Sequence, residues 1–99
     1  MGSAEPVLSY RRDLANGDII QVVVWRLDDP LPGSAHHYKY RLHYQDAKGA
    51  DIIRYDNERG KGDHRHIKGK EEAYRFDTMK KLVLDFYDAI REMRKLGGI

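Results

Sequence analysis

The segment HHYKYRLHYQDAKGADIIRYDNE, residues 36–58, decides the fold of this chain. Apolar and polar side chains alternate along its first part, which is the period of a β-strand. One face of this strand holds Tyr38, Tyr40, Leu42 and Tyr44, and the other holds His37, Lys39, Arg41 and His43. The alternation predicts a strand from His36 to Gln45 whose tyrosine face packs on a core, while its basic face meets solvent or a ligand.

The pair Lys48-Gly49 predicts a tight hairpin turn into a second strand, Asp51 to Glu58. The resulting register places His43 opposite Arg54, Arg41 opposite Asp56 and Lys39 opposite Glu58. On the tyrosine face it places Leu42 opposite Tyr55 and Tyr44 opposite Ile53. Two of the three polar pairs join opposite charges, which favours this register over a shift by one residue.

The pair Asn16-Gly17 predicts another hairpin, between strands Val7–Ala15 and Asp18–Leu27. A two-residue turn there places Leu14 opposite Ile19, Tyr10 opposite Val23 and Leu8 opposite Trp25, and it predicts these residues as core. The other face then carries Ile20, Val22 and Val24 beside Arg11 and Asp13. That apolar surface is a candidate contact for a partner or for a homodimer.

Outside the two hairpins, the sequence predicts a loop, one short strand and a helix. Prolines and a glycine make Asp28–Ala35 a loop, and Asp63–Ile67 is expected to rejoin the sheet, while Glu71–Phe76 stays unassigned. Asp77 or Thr78 caps a helix from Met79 to Lys95. Its apolar stripe consists of Leu82, Phe86, Ile90 and Met93. The predicted class is α+β, a twisted antiparallel sheet of four to five strands with one C-terminal amphipathic helix packed on one face.

Length and composition limit the classes of function. The chain has 99 residues, the size of a single domain spanning residues 1–99, of which about residues 1–6 are expected to be disordered. It is rich in charge at 34%, yet its formal net charge is only +2, so any basic surface is local. It has no cysteine, which excludes disulfides, thiolate metal sites and thiol nucleophiles. No apolar run approaches the ~20 residues that span a bilayer, so we expect a cytoplasmic protein without a membrane partner.

Ionisable groups are concentrated in Arg54–His66, RYDNERGKGDHRH. His64 and His66 are two residues apart, so on a strand they point the same way. With Asp63 or Asp56 nearby, one imidazole can take the proton of a nucleophile while the other protonates the leaving oxygen of a phosphodiester. Charge on the phosphate oxygens would be stabilised by Arg65 or Lys61. This chemistry needs no cofactor.

Two other interpretations of the segment remain open. It can be a solvated charged loop with surface ion pairs only. It can also bind a divalent metal through Asp56, Glu58 and Asp63 with His64 or His66. Spacing alone does not select this metal site because no HExxH motif is present, and Arg41 and Lys39 across the hairpin can neutralise two of the carboxylates.

The basic face of the first strand continues into the same segment. His37, Lys39, Arg41 and His43 lead into Arg54 and toward the loop residues Arg59 and Lys61, and these seven are the candidate nucleic-acid-binding residues. The tyrosines lie on the opposite face, so we expect them in the core and not stacked on bases. A solvated strand face is the alternative.

Three runs of sequence resemble a known family. VVVWRLDDPLPGSAHHYKYRLHY, RYDNERGKGDHRH and EEAYRF resemble the TumE-like toxins of bacterial type II toxin–antitoxin systems, over roughly Ile19 to Phe86. The resemblance implies a small cytoplasmic toxin that is held by a cognate DNA-binding antitoxin. The motif positions of the family fall on Trp25, Arg26, His36, Tyr38, Lys39, Tyr40, Arg41, Arg54, Tyr55, Asp56, Asn57, Glu58, Lys61, Gly62, Asp63, His64, Arg65 and His66.

Two functional hypotheses follow. The first is a toxin that acts on RNA as a ribonuclease, with His64, His66 and Asp63 as the leading catalytic candidates, supported by Arg65, Asp56 and Glu58. The second is a non-catalytic module whose charged surface recognises nucleic acid or an acidic partner. The second predicts salt-sensitive binding without cleavage of RNA.

Overall fold

The computed structural model describes residues 3–99 as one antiparallel sheet and one helix. The strands are β1 Ala4–Asp13, β2 Ile19–Leu27, β3 Tyr38–Gln45, β4 Asp51–Glu58, β5 Gly62–Ile67 and β6 Lys70–Ala73, and the helix is α1 Met79–Lys95. The strands lie in the sheet in chain order, and α1 packs over β3 and β4. The predicted α+β class is therefore confirmed, with six strands in place of four to five.

The strands at the two edges account for the differences in boundaries. β6 lies within the region left unassigned, and all four of its residues are exposed, so they show no alternation that a sequence pattern can detect. At the other edge, β1 begins at Ala4, inside the residues 1–6 that we expect to be disordered, and Ala4–Pro6 pair with Trp25–Leu27. Residues 1 and 2 lie outside the described part of the chain.

The core lies between α1 and the central strands. Thr78 begins the helix as predicted, because its Oγ1 accepts a hydrogen bond from the backbone N–H of Lys81 at 3.1 Å. The predicted apolar stripe of α1 is buried at all four positions. It meets the inward residues of β2, β3 and β4, namely Ile20, Val22, Val24, Tyr40, Leu42, Tyr44, Ile53 and Tyr55.

The predicted register of β3 and β4 is confirmed. Arg41 pairs with Asp56, Leu42 with Tyr55, His43 with Arg54 and Tyr44 with Ile53, whereas Lys39 and Glu58 lie beyond the paired residues. The turn is longer than predicted, because the backbone N–H of Asp46 donates to the carbonyl of Ala50. A β-bulge next to the turn, where Gln45 pairs with Asp51, restores the predicted pairing.

The predicted register of β1 and β2 is wrong by one residue. Leu8 pairs with Val24, Tyr10 with Val22 and Asp13 with Ile19. The backbone N–H of Leu14 donates to the carbonyl of Asp18, so three residues form the turn where two were predicted. This turn resembles that of the second hairpin, but no bulge next to it compensates for the extra residue.

Asp18 supplies the physical reason for the longer turn. Its side chain is buried and accepts hydrogen bonds from the hydroxyl of Tyr44, the backbone N–H of Ala47 and the side-chain amide of Asn16. A buried carboxylate is costly without such partners, so these contacts select the turn.

The shift by one residue exchanges the two faces of β2. Ile20, Val22 and Val24 face α1 and are at most 3% exposed, so they belong to the core. The prediction that these residues form a contact surface for a homodimer or another partner is therefore wrong. Trp25, which was predicted to be core, lies on the opposite face and is 38% exposed. Leu8, Tyr10 and Leu14 still pack against the core, as predicted.

One side chain replaces backbone pairing where β3 and β4 separate. The backbone pairing of the two strands ends at Arg41 and Asp56. The buried amide of Asn57 then bridges the strands: its Oδ1 accepts from the backbone N–H of Tyr40 at 2.9 Å and its Nδ2 donates to the carbonyl of Tyr38 at 2.7 Å. Asn57 thereby satisfies two backbone groups that would otherwise be buried without partners.

The long loop between β2 and β3 packs on the turn between β4 and β5. The backbone N–H of Gly60 donates to the carbonyl of Pro32 at 2.7 Å. Gly33 has φ +88, and a Cβ at this position would lie 3.3 Å from Cα of Gly60, so the close approach requires glycine. This contact holds the end of the loop, including His36, against the first residues of β5.

Candidate functional site

The sheet face turned away from α1 carries a dense set of polar side chains, which we call the polar face. Cross-strand pairing aligns Arg41, Asp56 and His64 in one row, and it aligns His43, Arg54, His66 and Glu71 in the next. Lys39 and Glu58 share this face by strand alternation. The confirmed register of β3 and β4 thus joins the basic strand to the histidine-containing segment.

Four residues of the polar face converge on one point, and we call Asp56, His64, His66 and Glu71 the histidine cluster. Nε2 of His64 lies 2.8 Å from Oδ1 of Asp56 and 3.6 Å from Oε1 of Glu71. Nε2 of His66 lies 3.9 Å from the same oxygen of Glu71. The rings of the two histidines meet edge to face, with centroids 5.2 Å apart. The expectation that His64 and His66 point the same way therefore agrees with their placement on β5.

Both ring nitrogens of His64 face an oxygen. Nδ1 lies 3.1 Å from the carbonyl oxygen of Gly62, and because a carbonyl only accepts, the ring donates there. Nε2 therefore faces the Asp56 carboxylate either as a second N–H or as a lone pair. His64 is 5% exposed and Asp56 is 8% exposed, so water cannot readily separate the pair.

Three buried atoms around this point have no hydrogen-bond partner within residues 3–99: Nε of Arg54, Oδ1 of Asp56 and Nε2 of His66. Oδ1 of Asp56 is close to His64 but lies off the N–H direction of the ring, so the contact is not a hydrogen bond. The other oxygen, Oδ2, lies 3.2 Å from Nε of Arg54. Buried polar atoms are nearly always paired, so these three require an explanation.

Cationic side chains border the cluster. Lys39 and Arg41 are exposed, whereas Arg54 is held by Asp51 at 2.6 Å in addition to Asp56. Burial lowers the pKa of His43, so this imidazole adds little positive charge to the polar face near pH 7.

Two shallow clefts open on either side of the row formed by Asp56 and His64. One, of about 370 Å³, is lined by Lys39, Tyr40, Arg41, Arg54, Asp56, Asn57 and Glu58. The other, of about 340 Å³, is lined by Lys61, Asp63, His64, Glu71, Glu72 and Ala73. Both reach the buried carboxylate–imidazole pair from solvent.

The remaining predicted cations lie at the end of the sheet. Arg59 and Lys61 are exposed in the β4–β5 turn, and Nζ of Lys61 lies 3.8 Å from Glu71. His37 is exposed in the loop before β3, where its Nδ1 lies 3.1 Å from the carbonyl oxygen of Leu27. Lys61 therefore lies beside the histidine cluster, whereas the side-chain contact of His37 is with Leu27.

Two residues predicted to assist the histidines lie on the helix side of the sheet. Asp63 and Arg65 flank His64, and strand alternation turns both away from it. Arg65 pairs with Glu72 at 2.5 Å and donates to the hydroxyl of Tyr55 at 3.1 Å. The structure therefore brings together Asp56, His64 and His66 but separates them from Asp63 and Arg65.

Asp63 belongs to a second histidine–carboxylate pair. Its Oδ1 accepts from Nε2 of His36 at 2.8 Å and from the hydroxyl of Tyr40 at 2.7 Å. Burial, with this hydrogen bond, raises the pKa of the Tyr40 hydroxyl, so Tyr40 stays neutral. The ring of His36 stacks on Phe76 with centroids 3.9 Å apart. These contacts bind the β2–β3 loop to the start of β5.

Sequence reasoning assigned no chemical role to three residues near these sites. His36 had one signal, its place among the motif positions of the family that the sequence resembles. Glu71 had only its place in the run EEAYRF, because its strand shows no alternation. Trp25 was assigned to the core through the incorrect β1–β2 register, and it instead shares the polar face with its partner Lys39.

Comparison with models of known protein families gives a match over most of the chain. A family model described as toxin TumE matches residues 3–94, a range that includes every residue of the polar face. No curated protein and no solved structure matches the chain. Within the described residues, no helix combines the length and the apolar character needed to cross a membrane.

Proposed function

This chain belongs to the TumE toxin family, so it is the toxin component of a toxin–antitoxin system and has a cognate antitoxin as its partner. From this premise we propose that the chain cleaves RNA. One observation carries the proposal: His64 and His66 share one strand face, and His64 is held between the Asp56 carboxylate and the Gly62 carbonyl. A toxin needs a damaging activity, and a fixed pair of histidines suits general acid–base cleavage of a phosphodiester.

The exposed cations beside the cluster support a polyanionic substrate. Lys39 and Arg41 carry positive charge on the polar face, next to the cleft that leads to Asp56. Trp25 lies beside Lys39 and offers an exposed ring on which a base can stack. Phosphates held by the cations and a base stacked on Trp25 would position a single-stranded RNA across the sheet.

The proposed reaction uses the 2′-hydroxyl of RNA as the nucleophile. Nε2 of His66, which has no partner in the described chain, takes the proton of that hydroxyl as O2′ bonds to phosphorus. The P–O5′ bond breaks, and His64 in its imidazolium form gives its Nε2 proton to O5′ while Nδ1–H stays on the Gly62 carbonyl. The products are a 2′,3′-cyclic phosphate and a 5′-hydroxyl. Asp56 positions His64, and Arg41 and Lys61 stabilise the charge on the phosphate oxygens.

Incubation of the purified chain with end-labelled RNA and with DNA of the same sequence tests the reaction. We expect cleavage of RNA to cyclic-phosphate ends in the presence of EDTA, and no cleavage of DNA, because DNA lacks the nucleophile. Equal cleavage of DNA would contradict the proposal. Salt-sensitive binding of RNA without cleavage would instead support the alternative function, a non-catalytic module that binds RNA. The exposed Lys39 and Arg41 are also consistent with this alternative.

The variant Trp25→Ala tests the RNA-binding face. We expect RNA to bind about 5- to 150-fold more weakly, because loss of one stacked base costs about 1–3 kcal/mol. The measurement is fluorescence anisotropy with a labelled single strand at fixed salt. Trp25→Phe is the matched control, since it keeps an aromatic surface and should retain most of the affinity. Unchanged binding by Trp25→Ala would place the RNA elsewhere.

A further inference from the structure

The histidine cluster holds more unpaired ligand atoms than proton transfer requires. Asp56, His64 and His66 each offer one ligand atom, and these atoms lie within 4.8 Å of one another. Two of them, Oδ1 of Asp56 and Nε2 of His66, have no hydrogen-bond partner within residues 3–99 although both are buried. We propose that the cluster binds one divalent transition-metal cation through Asp56, His64 and His66, with Glu71 as the fourth ligand.

The contact between Asp56 and His64 has the spacing of two ligands that share a cation. Their facing atoms are 2.8 Å apart, yet the oxygen lies off the N–H direction of the ring. A cation at ~2.1 Å from each atom would see them at an angle of about 85°. A cation bound to both atoms would give Oδ1 of Asp56 the partner that it lacks within residues 3–99.

The groups around these atoms are arranged as outer partners of ligands. Nδ1–H of His64 donates to the carbonyl of Gly62, which directs the lone pair of Nε2 toward the cluster. Nε of Arg54 lies 3.2 Å from Oδ2 of Asp56, which leaves Oδ1 for the cation. Both ligand orientations are therefore set before a cation binds.

Glu71 occupies the place of a fourth ligand. Its Oε1 lies 3.6 Å from Nε2 of His64 and 3.9 Å from Nε2 of His66, close to the spacing of ligands around a four-coordinate metal. Oε1 of Glu71 also lies 3.8 Å from Nζ of Lys61, and the positive charge of Lys61 opposes the binding of a metal ion. The negative charges of Asp56 and Glu71 together balance the two positive charges of the metal ion, so the cluster still favours its binding.

The ligand types select the class of metal. Two imidazoles with two carboxylates suit Zn²⁺ and neighbouring transition-metal dications, whereas Mg²⁺ and Ca²⁺ prefer oxygen ligands alone. Zn²⁺ is therefore the probe of choice, and Mg²⁺ is the probe that should fail.

The effect of this cation on RNA cleavage rests on the proposed function, whereas the binding itself does not. The proposed reaction needs Nε2 of His66 to accept a proton and Nε2 of His64 to donate one, and a bound metal would occupy both atoms. Bound Zn²⁺ therefore blocks both proton transfers and switches the cleavage off. Available zinc would in this way control the toxin at its own site.

Calorimetric titration of the purified, tag-free chain with Zn²⁺ tests the site. We expect saturable binding of one Zn²⁺ per chain, a rise in Tm when Zn²⁺ is bound, and no such effect of Mg²⁺. In His66→Ala and Glu71→Gln, binding should weaken at least about tenfold, the smallest effect of losing a group around a metal. His43→Ala, which removes a histidine of the same face outside the cluster, should bind Zn²⁺ like the unmodified chain.

Failure to bind Zn²⁺, or equal binding by the unmodified chain, His66→Ala and Glu71→Gln, would overturn the metal site. Glu71 is half exposed, so Glu71→Gln should fold even if a histidine variant does not. RNA cleavage in EDTA that Zn²⁺ abolishes supports both proposals. If cleavage requires Zn²⁺, the metal site is supported and the metal-free reaction is overturned. If the chain cleaves RNA but binds no Zn²⁺, the metal-free reaction is supported and the metal site is overturned.

Discussion

Replacement of both His64 and His66 by alanine is expected to lower RNA cleavage by at least about 10³-fold, because each proton transfer contributes about 10²–10⁴. The double variant lacks Nε2 of His66, which is the proposed proton acceptor. It also lacks the imidazole of His64, the proposed proton donor, which lies between Asp56 and Gly62. Growth inhibition by the expressed toxin should disappear with the cleavage. The measurements are the single-turnover rate on labelled RNA and colony counts after induction.

Matched variants separate chemistry from folding in this experiment. His64 is 5% exposed, so its alanine variant leaves a cavity and needs a check of circular dichroism and Tm. His66 is more exposed, and His66→Gln keeps much of its volume, so it serves as the second loss-of-function variant. His43 was predicted to bind RNA and has no part in the proposed proton transfers, so His43→Ala should keep the single-turnover rate when RNA is saturating. A folded double variant that still cleaves RNA and inhibits growth would refute the assignment of these histidines.

Phe86→Ala is expected to lower the free energy of unfolding by about 3–5 kcal/mol, the range for removal of a buried aromatic ring. Phe86 is fully buried on the inward face of α1, and its ring meets Tyr55 edge to face at 6.0 Å and Tyr87 at 5.4 Å. Domains of this size are stable by only about 5–15 kcal/mol, so much of that stability would be lost. Urea denaturation followed by circular dichroism measures the change.

Leu84→Ala is the control for this core variant. Leu84 lies on the outer side of the same helix and is 52% exposed, so its truncation should change the stability by no more than about 0.5 kcal/mol. A similar loss in the two variants would mean that α1 does not pack on the sheet through the face that carries Phe86. The unfolding midpoint should therefore fall strongly in one variant and hardly at all in the other.

The β3–β4 hairpin and α1 could be predicted from the sequence in detail. Alternation in β3 separates its tyrosines from its cations, and opposite charges at Arg41 and Asp56 favour the observed register. The helix begins after Thr78 and ends at Lys95, as predicted. These features depend on residues near one another in the chain, so their patterns are visible without the tertiary structure.

The β1–β2 hairpin could not be predicted in the same way. Its turn contains the strong Asn16-Gly17 signal, but its length depends on Asp18, which is held by Tyr44 and Ala47 from the next hairpin. A change of one residue in turn length exchanges the faces of a strand. That exchange buries Val22 and exposes Trp25.

The residues that contact His64 and His66 likewise depend on the tertiary structure. Alternation along β5 places His64 and His66 on one face and turns Asp63 away, but only pairing with β4 and β6 brings Asp56 and Glu71 to them. Period-two patterns assign side chains to the faces of a single strand. The contacts between strands depend on turn lengths, on one bulge and on the burial of Asp18, which are decided when the whole sheet packs against α1.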